Sequence, residues 1–185
     1  MPEALSTAEA PLLIAVRARL GESHGTLRLN EAVWPCALGR AGIVKIKQEG
    51  DGGTPTGAFP LRRVFFRPDR LAQPRWWAPM SAISADDGWC DDPASPDYNR
   101  LVKLPHPARC ERLWREDGLY DVLVELGYND DPVAPGAGSA IFLHVAGMRD
   151  GDFTPTEGCI ALARADLLSV LARCGPGVSI DIRPI

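Results

Sequence analysis

The stretch Ser139-Ala140-Ile141-Phe142-Leu143-His144, followed after a loop by Thr156-Glu157-Gly158-Cys159-Ile160-Ala161-Leu162, decides how this chain is read. The His closes an apolar run of strand type, and the Cys opens a second, shorter one. Fifteen positions separate them, enough for two neighbouring strand ends to bring imidazole and thiol together. A free thiol has a pKa of about 8.5 and is mostly protonated at neutral pH; a close imidazolium would shift it toward the nucleophilic thiolate. Gly158 would let a substrate approach the backbone, and the amides near Gly158 and Cys159 would hold an oxyanion. The loop between the two residues is rich in Gly, Asp, Thr and Pro, as loops beside sites are. The competing reading is an inert thiol and a packed core histidine, because free Cys is among the most buried residue types.

Working outward, the pattern is mainly β. Strand-like stretches fall at 12–20, 25–31, 42–46, 58–66, 101–105, 119–127, 139–145 and 178–183. In the last, Val178, Ile180 and Ile182 alternate with Ser179, Asp181 and Arg183, the period of a half-buried strand. One helix is expected over Arg164–Arg173, with Leu167, Leu168 and Leu171 on a face and Gly175 as its stop. The chain has 17 Pro and 18 Gly, spread widely, which suits many short strands joined by turns. No internal repeat is present.

At 185 residues the chain is sized for one domain, here 12–185, behind a tail of residues 1–11. Its formal net charge of −4 and the absence of a Lys/Arg stripe argue against a nucleic-acid partner. Arg62, Arg63 and Arg67 read as a solvated strand face. No run of about 18 apolar residues marks a membrane span. Residues 1–11 carry Glu3 and Glu9 and no basic residue, so no secretory signal is visible. Five cysteines without a CxxC spacing leave at least one thiol outside any intrachain pair.

Two motifs carry a resemblance. Thr156, Gly158 and Cys159, with His144 upstream, resemble the catalytic motif of the L,D-transpeptidases, the YkuD-like domains that cross-link peptidoglycan. Gly53-Thr54-Pro55-Thr56-Gly57-Ala58-Phe59 resembles a turn that these domains carry early in the fold. The pair, about ninety residues apart and in the same order, is much more specific than either part. The resemblance implies a YkuD-like β-sandwich with few helices, spanning nearly the whole chain. It implies Cys159 as nucleophile, His144 as base, and the Val145 carbonyl as the group that orients the imidazole. It further implies peptidoglycan stem peptides as partners, acylation by carbapenems, a part in cell shape, and an envelope or periplasmic location. The chain departs from the family pattern at Val145-Ala146-Gly147, where Gly often follows the His. It also departs at Glu157, often basic, and at Ala161, often Arg. Glu157 is expected to point away from the sulfur or to grip a substrate amine.

The segment 67–100 is the least regular and is expected to be a lid or groove loop. Within it, Tyr98 and Arg100 are candidate substrate contacts beside Thr156 and Glu157, since Arg holds carboxylates bidentately. The acidic pairs Asp86-Asp87 and Asp91-Asp92 do not fit an EF-hand loop, and His24, His106 and His144 have no zinc-site spacing. No metal and no cofactor is implied, and the chain is expected to act as a monomer. Two other functions share these residues: an L,D-carboxypeptidase or amidase using water as acceptor, and a non-catalytic wall-binding module.

Overall fold

The computed structural model describes residues 12–77 and 79–185, so the expected 1–11 tail lies outside the described residues. The chain is mainly β. Its strands are β1 (Leu13–Ala18), β2 (His24–Leu29), β3 (Ala32–Ala37), β4 (Ile43–Val44), β5 (Thr54–Pro55), β6 (Gly57–Phe66), β7 (Met80–Ala82) and β8 (Asp87–Cys90). They continue with β9 (Leu101–Lys103), β10 (Cys110–Arg112), β11 (Val122–Leu126), β12 (Phe142–Val145), β13 (Met148–Arg149), β14 (Asp152–Phe153) and β15 (Ile160–Leu162). Helix α1 (Arg164–Arg173) and β16 (Ser179–Pro184) complete the order.

Nine strands form the main sheet in the order β11-β12-β15-β3-β2-β1-β16-β6-β7, and a further pairing of β11 with β6 closes it on itself. The two layers of the expected sandwich are thus walls of one continuous sheet. Closure follows from the ten-residue β6: its first half bonds β16 and its second half bonds β11 and β7. Side chains alternate along each strand, so every wall presents one row inward. Val16, Leu27, Val64, Val124, Leu143 and Ile180 are fully buried in one aliphatic core, with Leu167, Val170 and Leu171 of α1 packed into it. The helix has the expected bounds; Val170 joins Leu167 and Leu171 as fully buried, while Leu168 packs against the same core partly buried.

The opposite row of three strands builds a second, aromatic cluster. Phe65 of β6, Leu123 of β11 and Phe142 of β12 meet Trp89, Tyr120 and Cys159 there. A small sheet in the order β10-β8-β9 supplies Trp89 to it. The segment 67–100 is therefore only partly a loop: it contains β7 on the main sheet and β8 at the centre of the small one. Arg67 is not part of a solvated face. It is 2% exposed, its guanidinium lies 3.7 Å over the Trp114 ring, and it donates to Asp69 and to the Arg115 carbonyl.

Two further departures bear on the site. β3 lies where no strand was expected; Pro35 breaks the usual strand pattern, and it is tolerated because β15 meets β3 only at Ala37. The 139–145 stretch becomes a strand only at Phe142, because Ala140 adopts a left-handed φ of 53°.

Candidate active site

β12 and β15 pair in parallel, with Leu143 opposite Ile160 and His144 opposite Ala161. Cys159 precedes Ile160, so it lies across from Phe142, on the outer face that also carries His144. Both residues open on a cavity of about 580 Å³, which Lys47, Glu111, Arg115 and Tyr120 also line.

The Cys-bearing turn is fixed by the second motif. Thr54 Oγ1 accepts the Gly39 amide at 2.8 Å. The 38–40 segment then clasps Thr156 on both sides: Thr156 N–H donates to Leu38 O at 2.8 Å, and Arg40 N–H donates to Thr156 O at 2.9 Å. Gly158 has φ 144°, and a Cβ there would stand 2.9 Å from the Gly53 carbonyl oxygen. Only glycine fits both demands. The two motifs, distant in sequence, are thus one piece of architecture.

The Thr156 hydroxyl is committed within the turn. It donates to Cys159 O at 2.6 Å and accepts from Gly158 N–H at 3.1 Å. That bond takes up the Gly158 amide expected to serve an oxyanion. Glu157 turns outward, largely exposed, and pairs with Arg40. Ala161 is fully buried, clustered with Ala37 and Ala146.

The His144 ring is set by its neighbour's backbone: Nδ1 lies 2.8 Å from Val145 O. A carbonyl can only accept, so Nδ1 carries the proton and the lone pair of the neutral ring lies on Nε2. Tyr120 packs edge-on against the imidazole, with ring centroids 5.3 Å apart. Its hydroxyl donates to Glu111 Oε1 at 2.5 Å, and Arg115 Nη1 lies 3.6 Å from the same carboxylate. The thiol of Cys159 donates to Ala140 O at 3.1 Å and accepts the Phe142 amide at 3.4 Å.

Burial governs the ionisation of both groups. It pushes the Cys159 thiol up to about 12, with the Glu111 charge adding to it and the Phe142 amide and Lys47 opposing. It lowers His144 to about 4 against the opposing hydrogen bond to Val145 O, and the Arg115 charge lowers it further. Thiol and imidazole are therefore both neutral at pH 7. Desolvation, the largest influence on each group, works against the thiolate–imidazolium pair suggested by sequence. Burial also raises Glu111, against its bond from Tyr120 and the charge of Arg115.

Tyr98 and Arg100 do not line the cavity. Tyr98 is buried; its hydroxyl donates to Glu49 and accepts the Gly138 amide. Arg100 is exposed. The residue between them reaches the site instead: Asn99 Oδ1 accepts the Ala140 amide at 3.0 Å and the Trp89 indole N–H at 2.9 Å. Asn99 thereby holds Ala140 in the left-handed conformation that aims its carbonyl at the thiol. Lys47 is almost fully buried, donating to Asp51 Oδ1 at 2.5 Å and to Gln48 O at 2.9 Å. Nothing in the sequence distinguishes Lys47, Asn99, Glu111 or Tyr120 from ordinary surface or core residues.

The family model described as the L,D-transpeptidase catalytic domain (YkuD) matches residues 16–182, and the chain belongs to that family. Among solved structures, the chain is similar to Mycobacterium tuberculosis L,D-transpeptidase 1 at 12% identity and a TM-score of 0.37. That alignment covers 92% of this chain and 62% of the other, so the chain spans less than two thirds of that protein's length. No curated protein matches the chain. Among the described residues, no helix is long and apolar enough to cross a membrane.

Proposed function

We propose that the chain is a cysteine acyltransferase that forms peptidoglycan cross-links by L,D-transpeptidation through a thioester on Cys159. The observation that carries this is a thiol and an imidazole whose tautomer leaves the lone pair on Nε2, both on one cavity, in a member of this family. His144 Nε2 takes the thiol proton as the sulfur attacks the carbonyl of an L-to-D peptide bond in a donor stem. Because both groups rest neutral, proton transfer and attack proceed together. The Cys159 amide steadies the tetrahedral oxyanion, while the Gly158 amide remains in the Thr156 turn. The imidazolium then protonates the leaving D-amino acid, and the amine of a second stem resolves the thioester. The Val145 carbonyl keeps the imidazole in its tautomer throughout. Thr156 acts as a positioning residue.

This reading places the protein at the cell envelope, as a monomer acting on stem peptides, without a cofactor. Incubation with purified muropeptides, followed by mass spectrometry, tests it. The expected product is a stem dimer lighter than its two parents by one D-amino acid. Trimmed donor without dimer would assign water as acceptor and make the chain an L,D-carboxypeptidase. No product at all would leave a wall-binding module. A carbapenem should form one adduct per chain, on the Cys159 peptide.

A further inference from the structure

Two cysteines outside the candidate pair face each other across the small sheet. Cys90 closes β8, Cys110 opens β10, and they stand directly opposite in antiparallel register. Cys90 directs both backbone groups toward the β9 side, donating to Arg100 O at 2.9 Å and accepting from Asn99 N–H at 2.8 Å. Its neighbours bond toward β10 instead: Asp91 N–H to Arg109 O at 3.2 Å, and Leu113 N–H to Asp87 O at 3.0 Å. Cys90 and Cys110 are therefore a non-hydrogen-bonded pair, where facing Cα atoms approach to about 4.5 Å and side chains are closest. A disulfide closes over Cα separations of about 4.4–6.8 Å. The two sulfurs and one ring nitrogen of His106 lie within 4.8 Å of one another, and both thiols are free.

We propose that Cys90 and Cys110 form a disulfide that staples β8 to β10 at the wall of the cavity. The oxidant is a disulfide-bonded exchange partner. The thiolate of Cys110, the more exposed of the two, attacks one sulfur of that partner and expels one thiolate. The Cys90 thiolate then attacks the Cys110 sulfur of the mixed disulfide and expels the second. Two protein thiols lose two protons and two electrons, and the partner gains both as two thiols. Asp91, Arg109 and Glu111 flank the cysteines in sequence and line the cavity, so the link fixes the strand spacing that positions them. It also closes a span of 20 positions, restricting the unfolded chain.

A zinc site on Cys90, Cys110 and His106 fits less well. The cluster has three ligands among the described residues, whereas a structural zinc takes four. Both ring nitrogens of His106 are already engaged, with Asp97 Oδ2 at 3.2 Å and the Ala108 amide at 3.2 Å.

The test uses full-length protein carrying Cys159→Ala, so that the candidate nucleophile does not compete for oxidant or label. After incubation with oxidised glutathione, free thiols are alkylated and the protein is digested without reduction for mass spectrometry. The expected result is a cross-linked pair of Cys90 and Cys110 peptides, about 2 Da lighter than their sum. The thermal midpoint should rise by several degrees over protein treated with dithiothreitol, and Cys110→Ser should abolish the difference. Alkylation of both cysteines, or glutathione adducts without a cross-link, would overturn the proposal. So would one zinc per chain in the isolated protein that Cys110→Ser removes.

Discussion

The two faces of β12 put consecutive residues into different chemical worlds. Leu143 points into the closed aliphatic core. Phe142 and His144, one position either side, point outward to Tyr120, and Phe142 also meets Cys159. Two thiols repeat the contrast. Cys36 of β3 sits in the aliphatic core and Cys159 in the aromatic cluster, yet burial pushes both up to about 12. Thiol acidity therefore does not distinguish a packing cysteine from a candidate nucleophile. What differs is the cavity, a histidine opening on it, and a fixed carbonyl to hold the thiol proton.

The sharpest break would come from the two cysteines. Cys159→Ala should lower turnover by about 10⁴-fold or more, the scale of losing a nucleophile, with little change in unfolding midpoint. Cys36→Ala should leave turnover per folded molecule unchanged while costing about 1–2 kcal/mol of stability. Equal losses of turnover in the two would erase the distinction between the faces.

Neighbouring residues on β12 sharpen it further. His144→Ala should reduce turnover about 10²- to 10⁴-fold, the usual contribution of a positioned base. Leu143→Ala should instead cost about 2–5 kcal/mol in denaturant unfolding, with normal turnover in whatever stays folded. A Leu143 variant that kept its stability but lost turnover would contradict the account.

Acid stability gives a third comparison. The folded imidazole titrates at about 4, against 6.5 ordinarily, because it is buried. Below about pH 6.5 the unfolded chain takes up a proton that the folded chain refuses, so stability falls from there down to about pH 4. The loss is on the order of 3 kcal/mol, and the effect vanishes above that window. His144→Asn should flatten this part of a pH–stability curve measured by urea unfolding. An unchanged curve would mean that the ring is not held neutral. The smallest effect is expected at Thr156: Thr156→Val should lower turnover about tenfold, and Thr156→Ser should restore most of it, since the hydroxyl ties the turn through two hydrogen bonds.

Much of this architecture was legible in the sequence because it rests on local pattern. The alternation at 178–183, the helix at 164–173 and the mainly β class all follow from periodicity and punctuation. The family followed from two motifs whose residues are demanded by geometry, such as Gly158 under the Gly53 carbonyl. What stayed hidden depends on tertiary contact. Sheet closure through β6 and β11 is a pairing across about sixty positions, and no local signal marks it. Asn99 was hidden for a similar reason: its side chain serves Ala140, forty-one positions on, while Tyr98 and Arg100 drew attention by residue type alone. Neutrality of the pair was invisible because desolvation is a property of the packed fold, not of the motif.

The most direct test of the central claim is the pH dependence of Cys159 alkylation by iodoacetamide, followed on its own peptide, in the parent and in His144→Ala. A neutral thiol held at about 12 predicts a rate that keeps climbing, with no plateau below about pH 10 in either protein, while turnover is lost only in the variant. A plateau reached by about pH 7 in the parent and absent from His144→Ala would show a resting thiolate–imidazolium pair, and would contradict it.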